Sequence, residues 1–324
     1  MRALALSGLL LLAGCVSDGG RLAETDALSD SGPAIALEQT PFFPQEEFQC
    51  GPAAVATVLA AEGFPVTPGD LTAEVYTPGL AGSLQPELLG AIRRRGLLAY
   101  ELRPNLESLV SELAAGRPVL VLQNLGLEYR PVWHYAVVIG ADGRQETLLL
   151  RSGTEARLEM ATRKFVRSWD SAGNWGVVVL RPGEMPARPD LDRYRRAVLG
   201  LEAAARYAEA AVAWQAALQY WPEDSVALFG LGSARYALND LDGARSAWER
   251  YVRDNPDDVP GLNNLAVVLG ELNCTKRGLR LAERALSRSS PDDELYAELL
   301  DTIEALRGRP HHPEGAECTP EGAP

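Results

Sequence analysis

Few residues in this chain can do covalent chemistry: four cysteines and three histidines among 324 residues. Cys50 stands in PFFPQEEFQCGPAAVATVL, Pro41 to Leu59, at the doorway of an apolar run. His134 opens WHYAVVIG and is the single histidine between Pro41 and Leu180. A thiolate is a nucleophile and an imidazole its usual base, so the pair suits attack on a carbonyl carbon. Gly51-Pro52 suits a helix start, since proline in the first turn gives up no hydrogen bond. A cysteine there meets free backbone N–H groups and the helix dipole, which predicts a lowered thiol pKa. Gln45 and Gln49 lie just upstream, and the carboxamide of either can join the Cys50 N–H in holding an oxyanion.

These groups need rigid carriers. Spacing of apolar residues predicts helices over Gly51–Ala61, Leu84–Arg95 and Leu106–Ala115. Strand-like runs follow at Pro118–Gln123, Trp133–Gly140, Glu146–Arg151 and Trp175–Leu180, separated by turns such as Ala141-Asp142-Gly143-Arg144. Helices first and strands afterward predict an α+β domain with an antiparallel sheet over residues 41–180. Trp133, Trp169 and Trp175 are expected in its core or in a cleft wall. RPGEMPARPD, residues 181–190, reads as a linker.

Beyond it the texture is helical, with no strand expected. Pro189, Pro222, Pro256 and Pro291 recur at spacings of 33, 34 and 35 residues, each followed by Asp or Glu. Ala210 and Trp214 recur as Ala244 and Trp248, then as Gly278 and Ala282, and Leu231-Gly232 answers to Leu265-Ala266. A small residue at a helix contact, an aromatic one turn on and a closing proline resemble the tetratricopeptide family. The resemblance implies an all-α solenoid of three helix pairs over Leu191–Asp293. Glu294–Leu306 reads as its capping helix, giving a repeat module over residues 191–306. Residues 307–324 read as a flexible tail, with His311-His312 solvated.

The N-terminus, MRALALSGLLLLAGC, has one arginine and a short apolar stretch, too short to span a bilayer and shaped like a secretory signal. Leu12-Ala13-Gly14-Cys15 resembles the bacterial lipobox. That implies a signal peptide over 1–14, lipidation at Cys15 and a small, polar tether over 15–40. Val16 in place of an Asp points to the outer membrane, with the chain facing the periplasm. In an oxidising compartment the remaining cysteines read as a Cys274–Cys318 disulfide candidate, leaving Cys50 free. Net charge is −13 and no dense Lys/Arg run offsets it, so nucleic acid is not an expected partner, and membrane attachment is expected through the lipid alone. No HExxH, P-loop or GxGxxG stands out and the Cys/His spacing offers no zinc site, so neither cofactor nor metal is expected.

The order Gln, Cys-Gly at a helix start, then His followed by apolar residues and Gly resembles papain-like cysteine peptidases. Among these it is most similar to the double-glycine peptidases that process bacteriocin leaders. Gln45, Cys50-Gly51-Pro52-Ala53-Ala54 and His134-Tyr-Ala-Val-Val-Ile-Gly140 carry the match, 84 residues apart from Cys50 to His134, over roughly Phe42–Leu180. The resemblance implies a papain-like fold, Cys50 as nucleophile, His134 as base, Gln45 at the oxyanion and a peptide substrate cut after Gly-Gly. The chain departs from the pattern twice. Gln45 is five residues before the cysteine where the family has six, which keeps Gln49 as a rival. The family's Asp after the next strand is missing, and Arg151-Ser152-Gly153-Thr154 stands there. Ser152 is the preferred orienter of His134, ahead of Asp142. Two functions are expected from this: a lipid-anchored peptidase with a protein partner on its repeats, or an inactive scaffold that grips a peptide and organises an envelope complex.

Overall fold

The computed structural model describes residues 34–46, 48–309 and 318. The expected signal peptide, Cys15, most of the tether and His311-His312 lie outside the described residues.

Seven strands make one antiparallel sheet: β1 (Ile35–Ala36), β2 (Leu98–Glu101), β3 (Val119–Asn124), β4 (Trp133–Asp142), β5 (Thr147–Ser152), β6 (Glu155–Ala161) and β7 (Gly176–Leu180). Their order is β2-β7-β3-β4-β5-β6, and β1 pairs with the far end of β4. β4 is the spine, with β3 on one side and β5 on the other. Successive residues of a strand point to opposite faces. Tyr135, Val137 and Ile139 accordingly enter a core with Val55, Val58 and Leu59 of α1 (Cys50–Ala61), while Ala136 and Val138 enter a second core on the other face.

Helices α2 (Pro68–Val75) and α3 (Gln85–Arg94) complete the first layer, and α4 (Leu106–Ala114) with α5 (Thr162–Asp170) the second. The domain is a mixed α/β one with an antiparallel sheet. The sequence reading anticipates β3, β4, β5, β7 and helices α1, α3 and α4 but not β2, β6, α2 or α5, nor β1, which takes residues 35–36 of the expected tether into the sheet. β2 is only four residues long, and β6 is an edge strand whose residues are mostly exposed, so neither carries a strong apolar pattern. Helices therefore do not simply precede strands.

After Asp190 come α6 (Leu191–Ala203), α7 (Tyr207–Tyr220), α8 (Ser225–Ala237), α9 (Leu241–Asp254), α10 (Val259–Glu271), α11 (Thr275–Arg288) and α12 (Tyr296–Arg307), a run of helices joined by short turns, with no strand among the described residues there. Asp190, Asp224 and Asp258, each one or two residues after a repeating proline, cap α6, α8 and α10 by accepting backbone N–H groups, and Asp240 caps α9 in the same way. The small and aromatic positions interlock: a Cβ on Gly232 would lie 2.5 Å from Trp248 Nε1, so the indole packs on bare backbone. Cys274 and Cys318 are disulfide-bonded, with a sequence separation of 44. The bond ties residue 318 back to the N-cap of α11.

The linker is strapped down rather than loose. Ala187 N–H donates to the buried Glu112 carboxylate at 2.7 Å, Asp190 N–H donates to Tyr100 Oη at 3.2 Å, and Arg193 donates to Leu102 O at 2.6 Å. Tyr194, Ala197 and Val198 of α6 share one continuous core with Leu98, Tyr100, Val178 and Leu180 of the sheet.

Candidate active site

Cys50 is the first residue of α1, with Gln49 as N-cap. The turn that delivers it is tight: Gln49 N–H donates to Glu46 O at 3.1 Å and Phe48 adopts φ 62°, left-handed backbone unusual for a bulky residue. Gly51 follows because the loop over the helix start presses close; a Cβ there would lie 2.3 Å from Ser83 Oγ. Cys50 is a free, half-buried thiol. Its sulfur lies by the backbone N–H groups of Tyr135, Gly51 and Cys50 itself, which favour the thiolate, but burial is the larger effect and pushes the thiol pKa up. This corrects the expectation of a thiol acidified by the helix end: loss of solvent outweighs the helix N–H groups.

His134 is buried at the start of β4, one peptide bond from the Tyr135 N–H beside the sulfur. Burial pushes its pKa down, so the imidazole is held neutral. His134 Nε2 is hydrogen-bonded to Ser152 Oγ at 2.8 Å. Strand pairing explains the meeting: Arg151 lies opposite Val137, which brings the end of β5 level with the start of β4. No hydrogen bond joins Cys50 to His134 among the described residues: the sulfur lies by the Tyr135 N–H, while the imidazole is bonded to Ser152 and does not line the crevice that holds the thiol.

A narrow crevice of about 10 Å³, room for about one water, is lined by Phe42, Phe43, Gln45, Cys50, Tyr135 and Ser152 among others. Gln45 is anchored there by donating its backbone N–H to Gly153 O at 3.1 Å. Gln49 is spoken for: its Oε1 accepts from Thr72 Oγ1 on α2 at 3.2 Å. Asp142 is set aside as an orienter. It ends β4, eight residues from His134 and therefore about 26 Å away, and its Oδ1 accepts from the N–H groups of Arg144 and Gln145. Trp169 is buried and Trp175 packs edge-on against Tyr135 at 5.8 Å, whereas Trp133 is half exposed and belongs to neither core.

Sequence reasoning misses Arg151. Its guanidinium donates to Glu38 O and Thr40 O at 2.9 Å and to Ala156 O, fastening the turn that precedes the segment leading to Gln45. The signal in sequence is an arginine closing an otherwise apolar strand. Among the described residues no group of three or more His, Cys, Asp or Glu side chains is arranged to hold a metal ion.

Residues 37–177 match the Peptidase_C39 like family, and residues 201–266 match the tetratricopeptide repeat. The chain thus joins a peptidase-like domain to a repeat module of the protein-binding kind. It is similar to a Bacillus anthracis protein described as a C39-like peptidase: 18% identity, TM-score 0.39, covering 46% of this chain and 98% of that one. It is also similar to the peptidase domain of Streptococcus ComA, a bi-functional ABC transporter involved in quorum sensing. There identity is 18%, TM-score 0.37 and coverage 44% of this chain and 98% of that one. No curated protein matches.

Proposed function

We propose that the chain is a cysteine peptidase, anchored in a bacterial envelope by lipid on Cys15, that hydrolyses a peptide substrate brought to it by a partner on the repeats. The observation that carries this reading is the placement of Cys50 at the mouth of α1 beside the His134–Tyr135 peptide, with His134 held by Ser152. The thiol and imidazole rest as a neutral pair, since burial raises one pKa and lowers the other. Attack therefore couples to proton transfer: the sulfur turns toward the imidazole, His134 takes its proton as the S–C bond forms, and later returns it to the leaving amine. Gln45 and the Cys50 N–H hold the tetrahedral oxyanion, and water then cleaves the thioester. A Gly-Gly site at the scissile bond is taken from the family resemblance alone. The test is to trap envelope proteins on Cys50→Ala and compare their termini with those made by the wild-type chain. Identical termini in the presence and absence of active chain overturn the proposal.

A second reading, an inactive peptide-gripping scaffold, is favoured by one observation: the partner of His134 is a neutral hydroxyl rather than a carboxylate. A purified chain that binds peptide but neither hydrolyses it nor forms a Cys50 thioester establishes the scaffold.

A further inference from the structure

The loop from Leu125 to Trp133, between β3 and β4, turns the usual rule of burial inside out. Leu125, Leu127, Tyr129, Val132 and Trp133 are all exposed, Tyr129 at 84% and Trp133 at 53%. The loop is nevertheless well built. Asn124 Oδ1 accepts from the N–H groups of both Gly126 and Val132 at 2.9 Å, and Leu127 and Arg130 exchange backbone hydrogen bonds at 3.0 and 3.1 Å. The apolar side chains are thus held outward by a closed turn instead of folding back onto the domain. Below them a cavity of about 460 Å³ separates the loop from α5 and is lined on the helix side by Lys164, Arg167 and Ser168.

Charge locates the occupant. In a chain of net charge −13, exposed Arg130 stands in the loop and exposed Lys164 and Arg167 line the cavity beside it, against Glu128 in the loop and Asp170 at the end of α5. α5 keeps Phe165, Val166 and Trp169 buried and turns its cations outward. Apolar and aromatic side chains at a tip, ringed by cations, match the layering of an anionic bilayer surface, where aromatic rings settle at headgroup depth and Lys or Arg meet phosphate. We propose that this loop and α5 form a docking surface for an anionic phospholipid bilayer, separate from any acyl anchor.

The test uses the full chain carrying Cys15→Ser, which removes the candidate acylation site. Co-sedimentation is measured with vesicles of phosphatidylglycerol and phosphatidylethanolamine, and with vesicles of phosphatidylcholine alone. Because parent and variants share the same N-terminus, their difference reads the loop. Expected is salt-sensitive binding to the anionic vesicles, weakened about tenfold by Leu127→Ser with Tyr129→Ser, and about as much by Lys164→Glu with Arg167→Glu. Circular dichroism melts equal to the parent's establish that both variants fold. Equal binding by parent and both folded variants, or equal binding to the two vesicle types, overturns the proposal. So does a loop variant that loses capture of an acidic amphipathic peptide while its vesicle binding is unchanged.

Discussion

His134 Nε2 meets a hydroxyl, Ser152 Oγ, at 2.8 Å. A carboxylate at that distance stabilises an imidazolium; a hydroxyl orients the ring without doing so. Ser152→Ala is expected to lower hydrolysis about tenfold, the worth of one neutral hydrogen bond. Ser152→Asp is expected to raise the imidazole pKa and speed alkylation of Cys50 at pH 7. Unchanged alkylation in Ser152→Asp would show that the ring does not govern the thiol.

The neutral resting pair is itself testable. Burial holds the thiol above its ordinary pKa of about 8.5, so the iodoacetamide rate is expected to climb without a plateau through pH 8. A plateau already below pH 7 would establish a standing thiolate–imidazolium pair and contradict this picture. His134→Ala is expected to leave that titration in place while lowering hydrolysis by about 10²- to 10⁴-fold.

Gln45 and Gln49 separate cleanly by their partners. Gln45 lines the crevice with Cys50, and Gln45→Ala is expected to lower kcat by about 10²- to 10³-fold with little change in KM. Gln49→Ala loses only its bond from Thr72 and is expected to change kcat by less than about threefold. The reverse ranking in steady-state kinetics would move the oxyanion site to Gln49.

Stability should follow His134 as well. Its folded pKa lies below the unfolded value of about 6.5, so the unfolded chain binds the proton first as pH falls. The contribution is fully present above pH 6.5 and is lost as pH drops through the lowered folded value. Urea midpoints are expected to fall from pH 7.5 to pH 5, and His134→Gln to flatten that slope. An equal slope in both chains would place the acid sensitivity elsewhere.

Much of this architecture is written locally in the sequence. The apolar run after Cys50, the alternating residues of β4 and the proline-spaced helices need only nearest-neighbour patterns, and they emerge where expected. β2 and β6 escape notice because four residues, or an exposed edge, give no periodic signal. The site is legible in kind, but its electrostatics are not. Nothing in CGPAA says that burial will overrule the helix end at the sulfur, because the walls of the crevice, Phe42, Phe43, Tyr135 and Ser152 among them, come together around Cys50 only in the fold. Asp142 and Ser152 are both near His134 in sequence, and only strand register tells which end of β4 each one meets.

The shared core beneath the linker has a thermodynamic consequence. Tyr194 and Val198 fill space that β2 and β7 would otherwise leave to water, so a boundary drawn at residues 181–190 divides the sequence without dividing the energy. Calorimetry of the intact chain is expected to give a single transition spanning the sheet and the first helix pair, rather than two independent melts. Cutting the chain at that point strips an apolar flank from each piece, and the severed sheet is expected to aggregate.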